Sequence, residues 1–315
     1  MDRFLYYVAS LIVRLLQSLP LLWVARLGRL GGAATYWFDK RHRNVALSNL
    51  ARCFPEKTGT EHHALAKENF RRIGENMACA IRTSRCKAEE INAILEVAGV
   101  NKLRFPPEGT APESRIVAIG HFGNFELFAH CFLFVRGYRF ATTYRALRQP
   151  SLNRLFQQLR EESGCEFFER RTEGEALRRA LNEGGLLLGI LSDQHAGDRG
   201  LDLPFFGQPC STSAAPAVLS LRYQCPLFTA ICYRTGLARW RIEVGDEIPT
   251  AHEGKARAPE DIMLDVNRAF ETAVRNDPAN WFWVHKRWKP GKARRILSKA
   301  ALAESTGAPN RAPLP

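Results

Sequence analysis

The chain has 315 residues, 45% hydrophobic and 24% charged, a globular balance that excludes wholesale disorder and allows a sizeable core in one large domain or two small ones. Lys plus Arg number 45 against 32 Asp plus Glu, a net charge of +13, which favours anionic partners: nucleic acid, an acidic protein, anionic lipid or a phosphorylated substrate. The eight cysteines form no CxxC pair and sit mostly in apolar runs such as TAICYR, as reduced core thiols of a cytosol-facing protein do, rather than as a disulfide framework.

Residues 1–38 are rich in Leu and aromatics but interrupted by Arg14, Pro20, Arg26 and Arg29. A spanning helix wants about 20 consecutive apolar residues, and a central Arg costs roughly 3 kcal/mol. The segment therefore reads as an interfacial or obliquely inserted membrane anchor, with a buried helix pair as the alternative. No small-residue cleavage site follows a compact apolar core, which argues against a removed signal peptide. Gly28 and Gly32 form a lone GxxxG, too common a pattern to carry a dimerisation claim.

After a basic stretch, a helix is predicted over 60–82, with Leu65, Phe70, Ile73, Met77 and Ile81 near helical spacing. Strands and helices then alternate: strand 115–119, helix 125–135, strand 138–144, helix 151–163, strand 165–168, helix 173–182 and strand 185–191. A helix over 214–222, strands over 227–233 and 240–244 and a helix over 259–275 complete the run. The alternation predicts an α/β fold, a mixed, partly parallel sheet flanked by helices. No linker is evident between 40 and 290, so residues 39–299 read as one domain, and 300–315 as a disordered tail. In such sheets reactive groups lie beyond the strand carboxyl ends, where His121, Arg145 and Asp193 fall.

The stretch AIGHFGNFELF sets His121 at a strand-to-helix turn with Glu126 five residues on. A neutral imidazole can take a proton from a hydroxyl, and a carboxylate on its other nitrogen would hold the tautomer and stabilise the imidazolium. Five residues along a regular helix turn about 500°, which leaves the pair on different faces, so they meet only where Gly123 and Asn124 break the helical path. Taken alone, a histidine near a glutamate is more often structural. Phe122, Phe125, Phe128, Phe132 and Phe134 crowd the same segment, either as core or as an apolar slot holding a chain at about 0.8 kcal/mol per buried methylene.

HFGNFE, then Thr143-Tyr-Arg-Ala146, Ile190-Leu-Ser-Asp-Gln194, Pro204-Phe-Phe-Gly207 and Trp281-Phe-Trp-Val-His-Lys-Arg-Trp-Lys289, five blocks in order, resemble the bacterial lipid A biosynthesis acyltransferases, the lauroyl and myristoyl transferases of lipopolysaccharide assembly. The resemblance runs from about residue 20 to 290 and makes 39–299 an acyltransferase domain of the glycerolipid acyltransferase-like type. It implies direct transfer of an acyl chain from a carrier thioester to a lipid hydroxyl, with His121 as general base and Glu126 as its orienting partner. It further implies substrate contacts from Gly123, Asn124, Tyr144, Arg145, Asp193 and Gln194, and an acyl tunnel walled by Phe205 and Phe206. Arg145 is expected to meet substrate phosphate or the developing oxyanion, although Ala146 stands where the family usually has proline. Asp193 and Gln194 read equally as loop braces, and Phe205 and Phe206 as core.

The implied partners are acyl carrier protein, or acyl-CoA, as donor, a lipid A precursor or another lipid as acceptor, and an anionic membrane surface, with location at the cytoplasmic face of a bacterial inner membrane. From His285 to Lys299 seven Lys or Arg occur with no acid, each worth about 1 kcal/mol of attraction to anionic headgroups. A second reading keeps the chemistry but uses acyl-CoA to acylate a lysophospholipid, an aminolipid or a phosphoinositide mannoside. A third, a basic nucleic-acid-binding protein, lacks any familiar binding motif, so no nucleic-acid partner is expected. There is no G-x-S-x-G, GxxxxGK or HExxH, and His62, His63 and His195 lack partners at metal-ligand spacing, so neither cofactor nor metal is expected.

Overall fold

A computed structural model describes residues 2–103, 112–147, 149–161 and 163–290. The predicted tail over 300–315 and the basic run over 291–299 lie outside the described residues. Pro20 separates helices α1 (Asp2–Ser18) and α2 (Leu21–Phe38), because a proline ring is tolerated at a helix start but not inside one. The basic stretch that follows them is a third helix, α3 (Lys40–Cys53), which buries Ala46, Leu50 and Cys53 on one side. Helix α4 (Gly59–Thr83) begins at a capping box: Thr58 Oγ1 accepts from the Glu61 N–H at 3.3 Å, and Glu61 Oε2 accepts from the Thr58 N–H at 2.8 Å. A short helix α5 (Ala88–Asn92) leads into strand β1 (Leu95–Ala98).

The α/β expectation holds. From β2 (Arg115–Ile119) the chain continues through β3 (Arg139–Tyr144), α6 (Pro150–Glu161), β4 (Glu166–Glu169), α7 (Gly174–Glu183) and β5 (Leu186–Leu191). A hairpin β6 (Leu201–Phe205) and β7 (Gln208–Thr212), unforeseen from sequence, precedes α8 (Ala215–Tyr223), β8 (Leu227–Gly236), β9 (Arg239–Val244) and α9 (Pro259–Asn276). The main sheet has seven strands in the order β1-β9-β8-β2-β5-β3-β4. All neighbours are parallel except β8 and β9. One core packs α3, α7, α8 and α9 on one sheet face, around Leu50, Ala180, Ala217 and Phe270; the other lies against the opposite face, around Val24, Cys79, Val117 and Trp240.

The segment predicted as a helix over 125–135 winds as a 3₁₀ helix, Phe125–Leu133. With three residues per turn, side chains three apart eclipse. Phe125, Phe128 and Cys131 therefore share one face, and all three line the cavity described below.

Gly28 and Gly32 have an intramolecular use. A Cβ at Gly28 would stand 2.5 Å from the Gly74 carbonyl oxygen, and one at Gly32 would strike the Phe70 carbonyl, so α2 and α4 approach backbone to backbone. Arg29, which as a charge in an apolar run counted against a spanning helix, turns inward: its guanidinium meets Glu68 at 2.9 Å and Glu75 at 3.2 Å. Glu75 is fully buried and also accepts from Arg234 Nε and the Ala238 N–H, each at 2.9 Å. One carboxylate thus ties α2, α4 and the β8–β9 turn together. Among the described residues no helix is long and apolar enough to cross a membrane. The outer side of α1 nevertheless exposes Phe4, Tyr7, Val8, Leu11 and Leu15, a stripe at helical spacing.

Candidate active site

Strand β2 ends at Ile119, and Gly120 follows because nothing larger fits: a Cβ there would lie 3.2 Å from Asp193 Cγ and closer still to the Phe122 ring. At Gly123 φ is +51°, and a Cβ would meet the Cys232 carbonyl oxygen at 2.5 Å, so the chain turns sharply under His121. The predicted break in the helical path is therefore present, at Gly123. It does not deliver Glu126 to His121.

The carboxylate that meets His121 is Asp193. Its Oδ1 lies 2.8 Å from His121 Nδ1, while Oδ2 accepts from the His121 backbone N–H at 2.9 Å and from Trp281 Nε1 at 2.8 Å. Burial alone would raise the Asp193 carboxyl, but the charge of His121 and hydrogen bonds from His121 and Trp281 outweigh it and lower the carboxyl to about 2. An ionised carboxylate at Nδ1 fixes the proton on that nitrogen and leaves Nε2 as the basic one. Trp281, invisible as a site residue in the sequence, is placed by α3 and α4: Asn49 Nδ2 donates to the Trp283 and His285 carbonyls, and Asn69 Nδ2 to those of Ala279 and Trp281. Arg287, fully buried, donates to the Gln194 and Ser211 carbonyls and to Thr212 Oγ1, bracing the loop that carries Asp193.

Glu126 pairs with Arg160 of α6, Nη2 to Oε1 at 2.9 Å. The role of orienting partner expected of it belongs geometrically to Asp193, because β2 and β5 set the ends of two parallel strands side by side, whereas the 3₁₀ winding points Glu126 at α6. Arg160 also lies over the Phe167 and Tyr144 rings, at 5.1 and 5.7 Å from their centroids. His121 is flanked by Phe125, with ring centroids 4.7 Å apart, and by Phe282 at 5.8 Å.

A cavity of about 590 Å³ opens beside His121 and spans the sheet face from Tyr144 on β3 to Val97 on β1. Its lining combines Glu126, Arg145, Arg160, Gln194 and His195 with apolar side chains such as Val117, Phe128, Phe140 and Ile242. Cys131 and Cys165 line it with thiols that burial pushes up to about 12, and burial pushes His285 down to about 4, a neutral imidazole in the same lining.

Of the sequence candidates, His121, Glu126, Tyr144, Arg145 and Gln194 line this cavity, with Arg145 exposed, while Asp193 stands behind His121. Gly123 and the buried Asn124 shape the turn rather than the cavity wall. Phe205 and Phe206, expected to wall an acyl tunnel, do not line this cavity. Both are buried in the core on the opposite sheet face, with Phe205 against Trp281 and Trp288 and Phe206 against Phe54, because the β6–β7 hairpin folds toward α9. Among the described residues no three His, Cys, Asp or Glu side chains cluster as metal ligands.

A histidine whose Nδ1 proton is held by a buried carboxylate, set beside a cavity of mixed polar and apolar lining, has the geometry a general base needs. The bacterial lipid A biosynthesis acyltransferase family matches residues 1–290, and the chain belongs to it. It is also similar to a phosphatidylinositol mannoside acyltransferase of Mycolicibacterium smegmatis (strain ATCC 700084 / mc(2)155), 25% identical over 182 residues. That match covers 56% of this chain and 58% of the relative, so the chain spans less than two thirds of the relative's length.

Proposed function

We propose that this protein transfers a fatty acyl chain from a thioester to a lipid hydroxyl by direct general-base catalysis. The observation that carries this reading is the His121–Asp193 pair beside the cavity. His121 Nε2 takes the proton of the acceptor hydroxyl as its oxygen attacks the thioester carbonyl. The tetrahedral intermediate collapses with cleavage of the carbon–sulfur bond, and the imidazolium returns its proton to the leaving thiolate, so no acyl-enzyme forms and no charge is left over. Asp193 holds the tautomer and stabilises the imidazolium. Arg145 and Arg160, in the lining of the cavity, suit the phosphate of a donor or acceptor. Membership of an acyltransferase family leaves the nucleic-acid reading without support.

For the finer assignment we favour a lipid A precursor as acceptor and acyl carrier protein as donor. The family match supports the first, and the +13 charge, which would steer an acidic carrier, supports the second. The similarity to a phosphatidylinositol mannoside acyltransferase supports a mannosylated lipid acceptor as the second reading. The test measures kcat/KM for one acyl chain on carrier protein and on CoA, at about 0.01 and 0.1 M salt, across which the Debye length shrinks from about 30 to 10 Å. The carrier should be the better donor at both salts and lose more of its rate as salt rises. Equal or better use of acyl-CoA would overturn the donor assignment and leave the chemistry of His121 standing.

We further propose that α1 and α2 lie on the cytoplasmic face of a bacterial inner membrane, as the anchor of a domain that follows from residue 39. The exposed stripe of α1 and the basic Arg14 and Arg26 support an interfacial rather than a spanning mode. Replacing Val8 and Leu11 by Asp should reduce co-sedimentation with anionic phosphatidylglycerol vesicles by roughly 10-fold or more, since each change trades buried apolar area for a repelled charge. Unchanged sedimentation would overturn the assignment.

A further inference from the structure

Strand β5 reads LLLGIL, with Gly189 at a position where a sheet interior would ordinarily place a branched side chain. The strand is paired on both sides, with β2 and with β3. Its neighbours Leu188 and Ile190 are buried on one face, yet Gly189 is only half-buried. Inside a paired sheet that exposure can only be to a cavity, and Gly189 lines the one below His121, between Leu187 and Leu191 on the same face.

Neither the backbone nor the packing demands glycine here. Gly189 is not among the residues with positive φ. A Cβ would meet only the Ile119 Cδ1 tip at 3.3 Å and the Ala141 carbonyl oxygen at 3.8 Å, contacts that a small rotation of the Ile119 end relieves. Glycine in a strand interior weakens the strand and often marks the close approach of another molecule.

We infer that Gly189 lies on the wall of the hydrocarbon channel and keeps it open for longer acyl chains, because any side chain at 189 would project into the space the chain occupies. The identity of the occupant rests on the acyl-transfer reading; the channel does not.

The test compares wild type, Gly189→Ala, Gly189→Val, and Gly189→Val combined with Ile119→Val, which removes the Cδ1 atom nearest the added side chain. On one carrier, kcat/KM is measured for saturated chains from octanoyl to stearoyl. The valine variants should move the optimum to shorter chains, changing the ratio between the best wild-type chain and the next shorter ones by roughly 10-fold or more, with alanine between. An identical profile in all four proteins overturns the inference. Equilibrium binding of free fatty acids of the same lengths is measured in parallel by displacement of a fluorescent fatty acid. Should wild type transfer no chain at all, the proposed function fails, while a length-graded loss of binding in the variants still supports the channel and unchanged binding overturns it. Should Gly189→Val not fold, the alanine variant and the double variant decide between the same two outcomes.

Discussion

Asp193→Asn should lower acyl transfer by roughly 10³-fold or more, and His121→Ala by roughly 10²- to 10⁴-fold, with the double variant little worse than the more damaged single one. The amide at 193 keeps the size of the carboxylate, and its oxygen can still accept from Trp281, but it removes the negative charge facing the imidazolium and no longer dictates the tautomer. A wrong tautomer presents Nε2–H to the acceptor hydroxyl, which then finds no base. Glu126→Gln is the informative contrast: Glu126 touches Arg160 and not His121, so its loss should cost about 10-fold or less, expressed more in KM than in kcat if Arg160 meets the substrate. Steady-state kinetics of wild type and these variants, with circular dichroism to confirm folding, decide the matter. Near wild-type turnover in Asp193→Asn together with a collapse in Glu126→Gln would return the orienting role to Glu126.

The second large effect is on stability. Glu75→Ala should destabilise the fold by about 3–5 kcal/mol, since breaking a buried ion pair from one side leaves its partners charged and unpaired. Arg234 would face the vacated space, the Ala238 N–H would lose its acceptor, and Arg29 would keep only Glu68. At about 2.1 cal/mol/K of unfolding entropy per residue, each kcal/mol moves Tm of a chain this long by about 1.5 °C, so a drop of roughly 5–8 °C is expected. Arg29→Met should cost less, because Glu75 would retain Arg234. Scanning calorimetry or a urea titration reads both, and a Glu75→Ala protein as stable as wild type would show that this network does not hold α2 and α4 to the sheet.

At Gly189 and at the α2–α4 crossing alike, a glycine is read correctly only once its surroundings are known. The GxxxG of Gly28 and Gly32 carries no partner in its own spacing, and the structure supplies one, Gly74. Arg29 reads as a charge in an apolar run, yet its partners come from a helix some 40 residues on.

What the sequence determined by itself is local. Hydrophobic periodicity places most helices and strands within a few residues of their observed bounds, because propensity and alternation act over one or two turns. His121 is likewise legible, as a histidine just past a strand carboxyl end. Local reasoning then pairs it with the nearest carboxylate, Glu126, and fails there. The partner is decided by strand register: β2 and β5 run parallel with Ile119 opposite Leu191, so the residues two beyond each, His121 and Asp193, come side by side although they are 72 positions apart. The same register leaves Gly189 facing the cavity between Leu187 and Leu191. Which strands pair, and in what register, depends on burying both faces of the sheet at once, a condition on the whole chain that no single stretch of it contains.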